Sequence, residues 1–293
     1  FLAGGAGNVA LNLASLGAKV VAIGRVGNDR YGDILLNSLE ELNIDTSYFH
    51  TLEDYSTIVK NRFIASSQQM MRADIETIMP LSVKEEDLLI EQLEKIIPQM
   101  KVIAISDYGK GFLSNRMLKN VIEIANEHQV PTLVDPKGID FSKYSSATLI
   151  KPNFHEAYLA TQISKDISID EVGMALLSST GSEYVMITRS EDGISLFQKA
   201  SYRKDFSVIS KEVVDVTGAG DTVLAVLAIC FASGIDVDYA TIFANIAAGM
   251  AIEHVGCARI TVAELMERVR KLVQSDKNLL DNLITCSSEV YSK

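Results

Sequence analysis

Positive charge is in short supply in this sequence. Lysine and arginine number 27 against 38 aspartates and glutamates, a net charge of -11. A chain of that balance is poorly matched to nucleic acid or an anionic membrane as main partner, since both call for clustered cations. Long apolar runs are missing too. None approaches the ~18–20 residues that span a bilayer, and the longest, 222–233, gives way to Ser233 and Gly234 as a buried helix would. Cysteine is scarce: Cys230, Cys257 and Cys286 lie far apart, with no C-x-x-C pair. That usage points to reduced thiols and a cytoplasmic protein. His50, His128, His155 and His254 show no metal-ligand spacing, so a structural zinc site is not expected. The chain opens at Phe1 and runs at once into glycines, which reads as a fragment lacking its beginning.

What is present is enough apolar material for a large core: 293 residues, 47% hydrophobic. Strand-like and helix-like segments alternate. Helical spacing over 7–16, 31–42, 115–128 and from about 154 is interleaved with short apolar runs at 19–24, 102–106, 131–135, 147–150 and 184–188. Continuous apolar runs separated by helices fit a parallel sheet covered on both faces, hence an α/β sandwich. Residues 46–75 break the rhythm, alternating polar and apolar without an intervening helix. They predict a small antiparallel sheet exposed on one face, a lid beside the main body. Residues 276–293 are polar with a weak helical pattern and read as a surface appendage to a core domain over 1–275.

The chemistry is densest at 215–225, DVTGAGDTVLA. Asp221 follows Gly218, Ala219 and Gly220 at the head of an almost wholly apolar helix. First-turn amides lack intrahelical partners, the helix dipole adds positive potential, and glycine lets an anion approach the backbone. Residues 218–221 can therefore cradle a phosphoryl group while Asp221 accepts a hydroxyl proton. The plainer alternative is that Asp221 caps the helix. Near the start, GGAGNVALNLASLG (4–17) contains Gly5, Gly7 and Ala10 in a G-x-G-x-x-A pattern, with Asp29 beyond it. That pattern admits dinucleotide binding by an oxidoreductase. Equally, the glycines Gly4 and Gly5 let a sugar lie against the backbone, with Asn8 binding its hydroxyls.

Taken together, Gly4-Gly5-Ala6-Gly7-Asn8 and the D-x-x-G-A-G-D run from Asp215 to Asp221 resemble the ribokinase-like (PfkB) carbohydrate kinases. A third feature of that family, N-x-x-E, appears as Asn153 to Glu156. SDYGKG (106–111), the DPKG to IKPN stretch (135–153), TRSEDG (188–193) and FANIAAGMAIEHVG (243–256) look like the heptose-7-phosphate kinases of lipopolysaccharide precursor synthesis. The similarity runs from about residue 4 to about residue 272. Ser190 and Val226 stand where most sugar kinases of the fold have glycine and a small residue, as in the heptose branch.

The resemblance implies a three-layer α/β/α sandwich with a mostly parallel sheet and a β lid. It also implies a kinase using ATP and Mg²⁺ that phosphorylates the anomeric hydroxyl of a heptose 7-phosphate. Asp221 would be the base and 218–221 the anion cradle. Asn153, Glu156, Thr188, Ser190, Gly193 and Asn245 would serve the nucleotide, with Glu156 and Asp135 near the metal. The family's first strand, whose Gly-Asp pair binds sugar, would precede Phe1. The H-x-G-H motif of bifunctional heptose enzymes does not occur in these residues; a full protein without it would be the stand-alone kinase.

Other candidates carry competing readings. Lys110 and Lys137 lie in glycine-containing loops after strands, where open α/β sheets bind ligands. Either could hold a distal sugar phosphate or be a solvated lysine; Arg62 and Arg72 in the lid stand similarly. Asp135 could instead cap the turn before Pro136, 188–193 could be a polar turn, and Asn245 a buried helix asparagine. The partners expected are a sugar phosphate and ATP, and the lid could pair with a second copy as a homodimer. The remaining alternatives are another kinase of the same fold, acting on ribose, fructose phosphate or a nucleoside, and a sugar sensor without catalysis, though Asp221, whose loss would mark the sensor, is present.

Overall fold

The computed structural model describes residues 2–65, 68–199, 203–209, 213–275 and 284–286. Its centre is a seven-stranded sheet in the order β11-β10-β9-β8-β7-β6-β5. Strands β5 (Ile103–Ser106), β6 (Thr132–Asp135), β7 (Leu149–Ile150) and β8 (Tyr184–Thr188) are parallel neighbours. Beyond them β9 (Ile194–Gln198), β10 (Lys204–Phe206) and β11 (Ile284–Cys286) continue antiparallel.

The continuous apolar runs follow from burial on both faces. Successive strand residues point to opposite sides. Leu133, Leu149, Met186 and Leu196 enter one cluster while their neighbours Val134, Ile150, Val185 and Phe197 enter another. The first is closed by α1 (Ala6–Ser15), α7 (Ala219–Ala232) and α8 (Val237–Ile252). The second is closed by α3 (Val83–Ile96), α4 (Asn115–Glu127), α5 (Phe154–Thr161) and α6 (Ile169–Thr180). Helix on sheet on helix is the three-layer sandwich read from the sequence.

Strands β1 (Val21–Gly27) and β2 (Asp45–Leu52) form a separate two-stranded sheet, joined by α2 (Arg30–Glu40). Here the reading of 46–75 as one antiparallel unit needs correcting. β2 pairs parallel with β1; only β3 (Val59–Ala65) and β4 (Gln68–Ile75) make an antiparallel hairpin. Alternation reports that one face of a strand is covered, and says nothing of its direction. The helical crossover that a parallel pair requires was available in α2.

The C-terminal segment differs as well. Ile284–Cys286 extends the main sheet beside β10 rather than continuing a helix, while 276–283 and 287–293 lie outside the described residues. The last long helix described, α9 (Val262–Ser275), ends just before them. Among the described residues no helix is long and apolar enough to cross a membrane.

Leu149 sits fully buried at the middle of the parallel part of the sheet. Leu149→Ala should destabilise the protein by about 2–5 kcal/mol through lost burial and a residual cavity, read as a lower urea midpoint with an unchanged slope.

Candidate active site

Among the described residues, seven of the nine α-helices are capped at their N-termini by a side chain: Asp29 for α2, Ser82 for α3, Ser114 for α4, Asn153 for α5, Ser168 for α6, Asp236 for α8 and Thr261 for α9. The two exceptions are α1, entered through Gly5, and α7, entered through Gly218. Those two pack against each other, and their N-terminal residues meet at Asp221.

Asp221 is the third residue of α7 and is buried. It does not cap its helix; Gly218 holds the cap position in the left-handed conformation. Instead Oδ2 accepts from Asn8 Nδ2 at 2.8 Å and Oδ1 from Tyr108 Oη at 3.1 Å. Burial pushes the carboxyl above the usual aspartate range, and the donors Asn8 and Tyr108, with the charges of Lys151 and Lys60, work against that. Asn8 is oriented in turn by Asn12, whose Nδ2 donates to Asn8 Oδ1 at 3.2 Å and to the Asn8 carbonyl at 3.0 Å. With its own oxygen occupied, the Asn8 amide can present only its NH₂ to Asp221.

The glycines of this turn are held for different reasons. At Gly218 the φ of 82° and an added Cβ lying 2.9 Å from Asn8 Nδ2 leave no room for a side chain. At Gly220 a Cβ would meet only Lys151 Nζ at 3.6 Å and Asp135 Oδ2 at 3.9 Å. The protein's own packing therefore does not demand glycine at 220. The Ala219 amide donates to the Val216 carbonyl at 3.3 Å, which leaves the first-turn amides of Gly220 and Asp221 to a ligand, with a buried ammonium, Lys151, beside Gly220. Lys151 Nζ pairs with Asp135 Oδ1 at 3.1 Å, and burial pushes the Asp135 carboxyl up.

The N-x-x-E pair forms a capping box on α5. Asn153 Oδ1 accepts from the Glu156 amide at 2.9 Å and Glu156 Oε2 from the Asn153 amide at 3.1 Å. The second Glu156 oxygen accepts from Lys137 Nζ at 2.8 Å. Lys137 thus sits with the carboxylates proposed for the metal, and Lys110 is engaged by Glu76 at 2.6 Å. In the lid, Arg72 pairs with Asp74, and Arg62 stands opposite Arg72 across the hairpin. Thr188 bridges to Asn153 at the strand ends.

Ser190, with a φ of 51°, joins Phe154, Arg189, Glu191 and Asp192 around an open cleft of about 190 Å³. Gly193 is obligatory where it stands, since a Cβ there would lie 2.0 Å from the Phe206 carbonyl oxygen. Asn245 is buried and donates to the Ser207 carbonyl at 2.7 Å.

A pfkB family carbohydrate kinase model matches residues 1–263. The chain belongs to that family. Curated relatives include the bifunctional protein HldE of Trichlorobacter lovleyi, 40% identical over 91% of this chain and 55% of its own length. The HldE of Helicobacter hepaticus is 37% identical over 99% of this chain and 60% of its own length. The chain spans a little over half the length of these relatives. Among solved structures, a putative ribokinase from Agrobacterium tumefaciens superposes with a TM-score of 0.77 at 17% identity, covering 93% of this chain and 87% of that one. Arabidopsis thaliana ribokinase complexed with ribose and ATP gives 0.73 at 18% identity, covering 90% and 86%. At such identities the likeness is one of fold, and it places this carbohydrate kinase in the ribokinase-like sandwich.

Family membership removes the nicotinamide alternative, and the local geometry agrees. Asp29, the acidic residue that reading needed, spends its carboxylate on the amides of Tyr31, Gly32 and Thr57. Two residues of the site went unremarked in the sequence. Lys151 and Tyr108 both lie just past the carboxyl end of a sheet strand, the rule that singled out Lys110 and Lys137, and nothing in local sequence ranks one such lysine above another.

Gly220→Val should fold close to normally, because a Cβ has space there, yet lower turnover by ~10²–10³-fold by covering the first-turn amides. Steady-state kinetics with a thermal melt as control checks this; full speed in a folded variant would remove the anion cradle.

Proposed function

We propose that this carbohydrate kinase transfers the γ-phosphoryl group of ATP to the anomeric hydroxyl of D-glycero-D-manno-heptose 7-phosphate, giving the 1,7-bisphosphate. The observation that carries the phosphoryl-transfer part is the buried Asp221 at an uncapped helix N-terminus, between Asn8 and Tyr108 on one side and Lys151 on the other. The choice of sugar rests on the resemblance of 106–111, 135–153, 188–193 and 243–256 to heptose kinases and on the similarity to proteins named HldE.

In this mechanism Asn8 and the Gly4-Gly5 turn bind the sugar and present its hydroxyl to Asp221, which accepts the proton. The transition state is loose, so the proton need not leave early and a carboxylate suffices as base. The amides of Gly220 and Asp221, within the 218–221 turn, and the Lys151 ammonium meet the charge that develops on the transferring group. Thr188, Ser190 and Gly193, around the Phe154 and Arg189 cleft, take the nucleotide, with Asn153 alongside. Asn245 acts at one remove by fixing the backbone at Ser207.

The donor set also fits a magnesium ion carried by the nucleotide. Magnesium is held by one or two carboxylates together with phosphates and water. Glu156 lies near enough to Asp135 to raise it, and each has a lysine counter-ion. Among the described residues no group of three or more His, Cys, Asp or Glu forms a protein-only metal cage. The ion would neutralise phosphate charge when bound. The lid exposes Phe63, Met70 and Met71, and we assign them to an interface with a second copy; light scattering should give a dimer for the protein and a monomer for Met70→Glu.

The substrate assignment is tested by ADP release from the full-length protein with heptose 7-phosphate, fructose 6-phosphate, ribose and a nucleoside. The heptose phosphate should lead by kcat/KM, and a lead by another sugar overturns the assignment without touching the mechanism. Asp221→Asn should lose ~10²–10⁴-fold in kcat with ATP binding retained. Because the Asp221 carboxyl is raised, the acid limb of kcat/KM should lie above the ordinary carboxylate range, activity falling as pH drops through it.

A further inference from the structure

Asp221 accepts from two side chains on elements remote from each other in sequence, and Asn8 accounts for only one of its oxygens. The other belongs to Tyr108, in the loop after β5. That loop is firmly anchored. The neighbouring Asp107 is buried, with Oδ1 accepting from the Gly109 amide at 2.7 Å and Oδ2 from Lys143 Nζ at 2.8 Å and Tyr144 Oη at 2.6 Å. On its other side the Tyr108 ring lies directly over Gly5, where a Cβ would come within 2.9 Å of Cε2. Ring and loop together leave the phenol little choice of direction.

We infer that Tyr108 is a positioning residue for the proposed base: its hydroxyl donates to Asp221 Oδ1 while Asn8 donates to Oδ2, fixing the carboxylate's orientation and favouring its ionised form. The inference rests on Asp221 being the base. A carboxylate offers about four acceptor positions, so two donors still leave room for a sugar hydroxyl. Hydrogen bonds to a charged acceptor are stronger than neutral ones. Tyr108 keeps its proton and so donates toward Asp221, because burial, with the negative charges of Asp221 and Asp135, pushes its phenol well above the usual tyrosine range.

The other groups facing Asp221 are few. Lys151, past the end of β7, and Lys60, from β3 of the lid, favour its charge. Asp135, at the end of β6, opposes it. Cys257, in the loop after α8, is held as the neutral thiol by burial, with Asp221 contributing. Lys60 also lies 5.4 Å from the centroid of the Tyr108 ring.

The test is the pH dependence of kcat/KM for heptose 7-phosphate with saturating ATP–Mg²⁺. Tyr108→Phe keeps the ring over Gly5 and removes only the hydroxyl. Its acid limb should move up by about one pH unit, from the loss of one hydrogen bond to a charged group. Rate should recover at high pH, with KM for ATP unchanged. Replacing the residue at 108 alone by a ring-fluorinated tyrosine, a stronger donor that needs no change of shape, should move the limb down. A limb left at the wild-type pH in both variants overturns the positioning role. Asp221→Asn, run alongside, separates the two ideas: if it keeps its turnover, the base reading itself falls. If it is inactive while neither Tyr108 variant shifts, only the inference about Tyr108 fails.

Discussion

A hydrogen bond between residues 213 positions apart, Asn8 to Asp221, holds this site together. A buried carboxylate is costly unless its charge is met. Here the charge is met by the Asn8 amide, brought by the packing of α1 on α7, by the phenol of the loop after β5, and by two lysines at longer range from the end of β7 and from β3. Neither helix spends its first-turn amides on a capping side chain. Among the described residues, the other helix starts each have a capping side chain.

Charges are also met by partners in two ion pairs near the ends of β6 and β7. Lys151 is almost wholly buried against Asp135, and Lys137 lies against Glu156. Each carboxylate is suited to a divalent cation and each ammonium to a phosphate. A nucleotide arriving with its metal would find both charges already paired and close together. For the buried Lys151, pairing with Asp135 offsets the large cost of burying the ammonium alone.

Much of the fold was legible in local pattern. The alternation of apolar runs with helices foretold the layered sandwich because strands covered on both faces must be apolar on both, as Leu133 with Val134 and Leu149 with Ile150 are. The direction of β2 was not legible, since its alternation reports exposure of one face and the partner that makes it parallel, β1, is chosen by the helix between them. The turn at 218–221 was legible from composition alone: an acid behind glycines at the head of an apolar helix has few uses.

What the sequence by itself determined was the set of candidate site residues and their order along the chain: the glycine turns, Asn8, Asp221, and the N-x-x-E pair that closes into a capping box on α5. Those properties are carried by spacing within a few residues, where backbone geometry dictates who can reach whom. Tertiary structure decided which of several equivalent residues take part. Tyr108 rather than another loop residue reaches Asp221, Lys151 rather than Lys110 lies beside Gly220, and Asn245 turns to the Ser207 carbonyl. Those choices depend on distances between segments far apart in the chain, set by how α1, α7 and the strand ends pack, and no local spacing encodes them.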